Sequence, residues 1–351
     1  MAMARVFFRT SRVIRVTKNT YDDAVTPAPA ISSLNYDQGD TLGGGQSVVI
    51  TGTDLTGASV SFGGTAATVT NNTSTTVTCT LPAKAAGATT VTVTTAGGTS
   101  NGLSFTFWDP VSEPNVTLVA ETPDYSSPTW VLRYGGPFRI GTAGASNIPE
   151  VVGEAGTPNF DGTGYLNTQN AAFQQADVLN FLAVTGGTLC SVVKPSNEEN
   201  PEIGGSTPYG NSSFMVKQGS GPIGIYNAGN GSSSWFGLFC FDNMSASYKL
   251  VKATVAGLVG SYHSVVGTYA QGVSFSLSAD ASPLGDATAA FAANGHPLAY
   301  TGSNPIALGS DYSSTDLAWR GHMRAVAYFN AVKDDIFTYK FHAWARQRFG
   351  I

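Results

Sequence analysis

Carboxylates are the first residues to test for chemistry, because paired Asp or Glu side chains carry out the acid–base steps of glycoside hydrolysis. A retaining hydrolase needs two carboxylates about 5 Å apart, usually on alternate residues of one strand. The chain has seven Glu, and beyond Glu154 they occur only in EENPE, as Glu198, Glu199 and Glu202. Because Pro201 and the loop-like composition disfavour a strand there, we predict that the protein has no catalytic residues and is not an enzyme.

The histidines and cysteines show no spacing typical of a metal centre or a nucleophilic site. No two histidines stand at metal-ligand spacing, and no Ser lies in a G-x-S-x-G turn. Three widely separated cysteines do not predict a disulfide framework. We therefore expect structural histidines and buried, reduced thiols. These residues are His263, His296, His322, His342, Cys79, Cys190 and Cys240.

Aromatic side chains near predicted loops are the candidates for carbohydrate binding. A sugar site needs aromatic rings exposed beside polar groups, and several aromatics of this chain have Asn or Asp neighbours. The alternative for each is a place in the core, where most aromatic side chains of a β-sandwich lie. The candidates are Tyr209, Trp235, Tyr300, Tyr312 and Trp319.

The basic charge is concentrated at the N-terminus. Of 18 Lys and Arg, five fall in the first twenty residues, which hold no acidic residue. Residues 21–351 therefore carry 13 basic against 23 acidic groups, and we expect this body to repel nucleic acid and anionic membranes. The sequence also predicts a soluble protein with no membrane span and no secretory signal peptide. The basic residues are Arg5, Arg9, Arg12, Arg15 and Lys18.

Residues 1–30 are predicted to form an arm that ends in the stiff segment TPAPA. Its alternating residues fit a strand, while the arginine spacing also fits one face of a helix, so its conformation stays open. The arm is either a solvated tail or an anchor that becomes ordered on a larger assembly.

Residues 31–107 contain short alternating runs separated by Gly pairs and triplets, which is typical of an immunoglobulin-like β-sandwich. ISSLNYDQGDTLGGGQSVVITGTDLTGASVSFGGTAATVT, TVTCTLPA and TVTVTTAGGTSNGLSFTF resemble an IPT/TIG domain. That resemblance implies a spacer or interaction module of bacterial and viral surface proteins. Lys84 is the only basic residue here, so we do not expect the DNA contacts known from other members. The predicted strands include Ser47–Ile50, Val60–Phe62, Val77–Leu81, Thr90–Val93 and Leu103–Phe107.

Residues 108–351 resemble a concanavalin A-like, laminin G-like jelly roll. The resemblance is carried by NFDGTGYL, TLCSVVKPSN as a central strand, SYHSVVGTYAQGVSFSLSAD as a strand pair, and PIALGSDYSS with GHMRAVAYFNAVKDD. It implies a possible Ca²⁺ site made of loop carboxylates, with ordinary turn residues as the alternative. The E-x-D-x-x-E signature of glucanases with this fold is absent. The candidate ligands are Asp280, Asp286, Asp311 and Asp316.

A single helix is predicted at the C-terminus. Asp334 and Asp335 suit its start, basic residues suit its last turn, and Gly350 suits its end. We expect it to cover the sandwich as a short lid. Its predicted apolar face consists of Ile336, Phe337, Tyr339, Phe341 and Trp344.

These observations predict an all-β fold: an immunoglobulin-like sandwich, a jelly-roll sandwich and a short C-terminal helix. The function they favour is a structural surface protein of a tailed-bacteriophage virion, as a decoration, fibre or tail-associated protein. The arm would bind other virion proteins, and the jelly roll would contact host or environmental glycans. We also expect a homo-oligomer on the particle. The alternatives are a bacterial cell-surface adhesin or carbohydrate-binding module, and a glycoside hydrolase.

Overall fold

The computed structural model describes a set of separate stretches, and all structural statements below concern these residues. None of the helices in them has both the length and the apolar character needed to cross a membrane. The described residues are 26–43, 46–122, 125–126, 129–130, 139–140, 157–161, 166–167, 186–196, 211–216, 223–229, 234–242, 247–270, 274–280, 306–309 and 319–351.

The first domain is a β-sandwich. Its strands are paired in the order β1-β3-β6-β5-β4-β7-β9-β2, with β8 on β7, and its core includes Phe62, Phe105 and Phe107 in edge-to-face contact. All five strand predictions for this region are confirmed. The strands are β1 Ala30–Leu34, β2 Gln38–Gly39, β3 Ser47–Thr53, β4 Ser59–Phe62, β5 Thr65–Asn72, β6 Thr76–Thr80, β7 Gly87–Thr95, β8 Gly98–Thr99 and β9 Leu103–Phe107.

The second domain contains two larger sheets. A 3₁₀ helix at Pro110–Ser112 precedes its first strand, and Tyr125–Ser126 and Thr129–Trp130 form a separate two-stranded sheet. The strands are β10 Val116–Glu121, β11 Tyr125–Ser126, β12 Thr129–Trp130, β13 Arg139–Ile140, β14 Asn159–Asp161, β15 Leu166–Asn167, β16 Gly186–Pro195, β17 Asn211–Val216, β18 Ile223–Gly229, β19 Ser234–Asp242, β20 Ser247–Thr254, β21 His263–Ala270, β22 Ser274–Ala279, β23 Ile306–Leu308 and β24 Arg320–Phe329.

One sheet has the order β10-β24-β16-β21-β22 with β14 on β24, and the other has the order β13-β15-β23-β17-β18-β19-β20. The TLCSVVKPSN stretch is central in the first sheet, as predicted, and NFDGTGYL contributes β14 beside the GHMRAVAYF strand. Within the described residues, the predicted all-β fold class with two sandwiches and a C-terminal α-helix is thereby confirmed.

The sheet that contains β16 is a middle layer, because it is buried on both faces. Along β16, Leu189 and Val193 join the core cluster shared with β18 and β19, whereas Cys190 and Val192 join a second cluster that includes helix residues. Successive side chains of a strand point to opposite faces. A strand covered on both sides therefore reads as a nearly continuous apolar run, as TLCSVV does.

The C-terminal helix, α1, spans Asp335–Phe349 and covers the outer face of this middle layer. The Asp334 carboxylate caps it by accepting from Phe337 N at 2.8 Å, and Gly350 ends it with φ 67°, a left-handed value that favours glycine. The predicted helix and its capping residues are confirmed. Its predicted apolar face is wrong at two positions, since Ile336 and Tyr339 are 66% and 55% exposed.

The two domains meet without a flexible linker. Trp108 directly follows β9, is buried in the cluster that also holds Phe337, and donates from Nε1 to Glu113 Oε1 at 2.6 Å. Gln38 Nε2 donates to Lys340 O at 3.2 Å, and Gln347 Nε2 donates to Gln38 O at 2.8 Å. These contacts fix β2 against α1 and so hold the first domain against the second.

Arg348 forms the most buried ionic contact of this junction. Its Nη1 lies 3.3 Å from Asp40 Oδ2 in the first domain, and its Nε lies 3.3 Å from Glu121 Oε2 in the second. Both carboxylate side chains are at most 3% exposed. Buried charges require partners, so one guanidinium serves acidic groups from both domains.

We expect Arg348→Met to lower the free energy of unfolding by about 1.5–3 kcal/mol, because it removes a cation that contacts two buried carboxylates, which keep their other contacts. Urea denaturation followed by circular dichroism measures this change. Arg320→Met is the matched control, since residue 320 is exposed, and it should change stability by less than about 0.5 kcal/mol. Equal losses in both variants would show that the buried ionic contact does not hold the junction.

Candidate functional site

Both of the predicted sugar-binding tryptophans that lie in described residues are buried, which corrects their assignment as exposed platforms. Trp319 is fully buried, donates from Nε1 to Asn227 Oδ1 at 2.8 Å and packs edge-to-face on Phe160. Trp235 is 5% exposed, and Lys252 Nζ lies 4.2 Å from its ring centroid. Core packing and a cation–π contact thus occupy the two indoles.

Several other predicted site residues lie outside the described residues, and their roles stay predictions. They are Tyr209, Tyr300 and Tyr312 for carbohydrate, Asp286, Asp311 and Asp316 for calcium, and Arg5, Arg9, Arg12, Arg15 and Lys18 for anchoring.

Asp280, the fourth predicted calcium ligand, makes local protein contacts. Its Oδ2 lies 2.6 Å from His263 Nδ1, and its Oδ1 accepts from Ser264 N at 2.9 Å. The carboxylate therefore connects the end of β22 to the start of β21. Across the part of the chain that the structure describes, no three His, Cys, Asp or Glu side chains form a group that could hold a metal ion.

A buried histidine sits between α1 and the middle sheet. His342 Nδ1 lies 2.7 Å from Ser264 Oγ, and its Nε2 lies 3.0 Å from Ser278 Oγ. Burial lowers the pKa of His342 to about 4, and Asp280 opposes that shift. A Ser–His contact can activate a nucleophile. Here, however, the imidazole is fully buried and hydroxyls occupy both nitrogens, so the contact joins the helix to the sheet.

A half-open cavity of about 370 Å³ lies at the junction between the domains, and we call it the junction cavity. One wall is the segment from the end of β1 to β2, and the other is the side of α1 that faces the first domain. Two exposed tyrosines stand on opposite walls, Tyr36 at 44% and Tyr339 at 55% exposure. The lining residues are Leu34, Asn35, Tyr36, Asp37, Gln38, Tyr339, Ala343, Arg346 and Gln347.

Polar groups dominate the rest of this lining. Within the described residues, the Arg346 guanidinium and the Asp37 carboxylate make no hydrogen bond or ion pair. Gln347 Oε1 is buried and has no hydrogen-bond partner there either, while Gln347 Nε2 is held by Gln38 O. The cavity therefore combines free donors, free acceptors and two aromatic rings.

Sequence reasoning missed this arrangement, although two local signals point to it. Tyr36 stands in NYDQ between Asn35 and Asp37, so it has the Asn and Asp neighbours that are typical of the other candidate aromatics. Tyr339 and Arg346 are spaced i and i+7, so they share one face of the helix. Only the docking of the two domains brings the Tyr36 segment close to Tyr339 and Arg346.

Because of His342, the free energy of unfolding should decrease as the pH is lowered. In the unfolded chain its imidazole protonates near the ordinary pKa of 6.5, and in the folded protein only near 4. The unfolded state therefore binds the proton first as pH falls. The resulting decrease in the free energy of unfolding grows from about pH 6.5 down to about pH 4. By pH 4 it amounts to on the order of 3 kcal/mol.

The check is urea denaturation of the wild type and His342→Asn between pH 7.5 and pH 4. The variant should be less stable at neutral pH but should lose less stability on acidification. Ser264→Ala keeps the buried imidazole and should keep the wild-type pH dependence. An unchanged slope in His342→Asn would assign the acid sensitivity to other groups.

Comparison with protein families identifies a match in the first domain. The model of the IPT/TIG domain matches residues 29–107, which confirms the resemblance drawn from the sequence. A search of curated proteins finds no match.

Comparison with solved structures finds β-rich domains at low identity. The CBM40 of the Ruminococcus gnavus IT-sialidase, bound to α2,6-sialyllactose, is 14% identical with a TM-score of 0.36, covering 48% of this chain and 88% of that chain. A botulinum neurotoxin type C structure, concerned with interaction with two ganglioside molecules, is 10% identical with a TM-score of 0.43, covering 65% of this chain and 51% of that one.

A leech intramolecular trans-sialidase is 15% identical with a TM-score of 0.36, over 48% of this chain and 25% of that chain. Likeness at this level establishes neither a shared function nor a shared ligand. The chain thus contains an IPT/TIG immunoglobulin-like domain at residues 29–107, followed by a second β-sandwich that ends in a helix.

Proposed function

We propose that the protein is a structural surface protein of a tailed-bacteriophage virion. The basic arm attaches it to the particle, the IPT/TIG domain acts as a spacer, and the second sandwich is displayed for adhesion to glycans. The support comes from the order of these parts along the chain and from where each joins the spacer.

The observation that carries the proposal is that the segment 26–30, which leads from the arm, and the second domain join the IPT/TIG domain at opposite ends. Gly87, at one end of β7, pairs with Phe107, which directly precedes the junction. Thr95, at the other end, pairs with Gly98 in the turn to β8. At about 3.3 Å per residue, these ends of β7 are about 26 Å apart.

The segment that leads from the arm runs past the far end. The backbone of Pro27 contacts Gly97, where an added Cβ would collide with the Pro27 carbonyl. Ile31 N then donates to Asn101 Oδ1 at 2.9 Å, and β1 continues toward the junction. A spacer between an anchor and a displayed domain requires attachment points at opposite ends, and this domain has them.

The rigid junction adds to the support. A displayed domain on a flexible linker would sample many orientations and lose entropy on binding a surface. Here the buried Trp108, the Gln38–Gln347 contact and the Arg348 ionic contact hold the second domain in one orientation. Attachment at the arm would thus present the same face of the second sandwich on every copy.

Replacing Arg5, Arg9, Arg12, Arg15 and Lys18 together with Gln should abolish association with virion structural proteins. The tagged protein is captured from the lysate of cells that produce it naturally, and its partners are identified by mass spectrometry. Wild-type association should weaken as salt rises from 0.1 to 1 M, because the Debye length falls from about 10 to about 3 Å. Lys84→Gln, a basic residue on the spacer itself, is the matched control and should bind as the wild type.

Capsid, tail or baseplate proteins recovered with the wild type and the control, but not with the neutral arm, support the proposal. Recovery of no virion protein by the wild type contradicts it. Recovery of cell-envelope material by all three proteins would contradict it in favour of a bacterial adhesin.

A further inference from the structure

We propose that the junction cavity is a saccharide-binding site. The ligand class is a hydroxyl-rich sugar unit, held between Tyr36 of the first domain and Tyr339 of α1. This inference deepens the proposed adhesion role by naming a site and a ligand class, but the site can be tested on the purified chain without any particle.

The hydrogen-bonding groups of the cavity match hydroxyls better than simple anions. Arg346 offers several N–H donors, whereas Asp37 and the buried Gln347 Oε1 are acceptors. An anion site needs donors and is weakened by a neighbouring carboxylate. A sugar hydroxyl both donates and accepts, so one ring with several hydroxyls can use both kinds of group.

The two tyrosines supply the other half of sugar recognition. The face of an aromatic ring carries negative charge density, which attracts the weakly positive C–H groups on the flat side of a sugar ring. Tyr36 and Tyr339 are the exposed aromatic side chains among those that the structure describes, and both line this one cavity. Exposed aromatic rings are costly in water, and a ligand that covers them offsets that cost.

A second cavity, lined only by residues of the second domain, has a different arrangement of charges. It has a volume of about 280 Å³ and lies beside the Glu113 carboxylate. There Lys333 Nζ is 3.1 Å from Glu113 Oε2 and Lys340 Nζ is 3.8 Å from Glu113 Oε1, so its charges pair with one another. The charged groups of the junction cavity are not paired in this way within the described residues, which leaves them for a ligand.

The cavity is also preformed. Gln38 and Gln347 link its two walls by hydrogen bonds, and Arg348, one residue further along α1, holds the same helix to both domains. Its volume of about 370 Å³ falls within the usual range of small-molecule sites, about 300–1,000 Å³. A rigid site of this size loses little entropy when it binds one or two sugar units.

The test probes the purified full-length chain with a glycan array that carries neutral, sialylated and uronate-containing oligosaccharides. The strongest array glycan is then titrated by isothermal calorimetry against the wild type, Tyr36→Ala, Tyr339→Ala and Arg346→Met. We expect each variant to bind at least about tenfold more weakly. Tyr339→Phe keeps the ring and should stay within about threefold of the wild type.

Ile336→Ala is the matched control, because Ile336 is an exposed side chain on the same helix and outside the cavity. It should bind as the wild type, and thermal unfolding should show that all variants remain folded. No array binding by the wild type, or binding that the tyrosine and Arg346 variants leave unchanged, overturns the proposal. Binding in the cavity together with a failure of the arm-dependent capture would refute the virion role alone.

Discussion

The structure depends on the ionic contact between Arg348 and two buried carboxylates, Asp40 and Glu121. Burial of a carboxylate costs free energy through desolvation, and the contact with Arg348 offsets part of that cost for both acids. The cation comes from the last turn of α1, where a positive charge also complements the helix dipole. Arg348 therefore acts together with Gln38 and Gln347 to hold the IPT/TIG domain on the second sandwich.

The position of α1 also depends on its contacts with the middle sheet. The inner face of α1 buries Phe337, Phe341 and Trp344 against the sheet, and His342 lies between the hydroxyls of Ser264 and Ser278. Apolar contacts alone would tolerate small rotations of the helix, since hydrophobic burial is non-directional. The buried hydrogen bonds are directional, and they favour one rotation of α1. The same rotation turns Tyr339 outward, toward the junction cavity.

The proposed saccharide site depends on this geometry. The outward face of α1 and the Tyr36 segment come from different domains, so the cavity between them exists only while the domains are docked. If the IPT/TIG domain is a spacer fixed to the second sandwich, a ligand can bind in the junction cavity between them. The second sandwich can carry a further ligand site. Under these proposals adhesion and assembly would use different parts of the chain, because the segment that leads from the arm passes Gly97 at the far end of β7.

The sequence by itself determined the fold class, the IPT/TIG region, the central strand and the helix with its caps. Local signals carry this information: period-2 alternation, glycine at turns, Asp334 before the helix and Gly350 after it. Sequence reasoning did not identify β5, whose residues Thr65–Asn72 hold no large apolar side chain other than Val69. It also placed Ile336 and Tyr339 in the core, because hydrophobicity alone does not tell which side of a helix meets a sheet.

Only the tertiary structure decided the candidate site. Trp235 and Trp319 are near predicted loops in the sequence, yet packing buries both. Tyr36 and Tyr339 are about three hundred residues apart and share a cavity only because Arg348 and the two glutamines dock the domains. Burial and proximity are properties of how elements pack, and that packing depends on long-range contacts that no local pattern encodes.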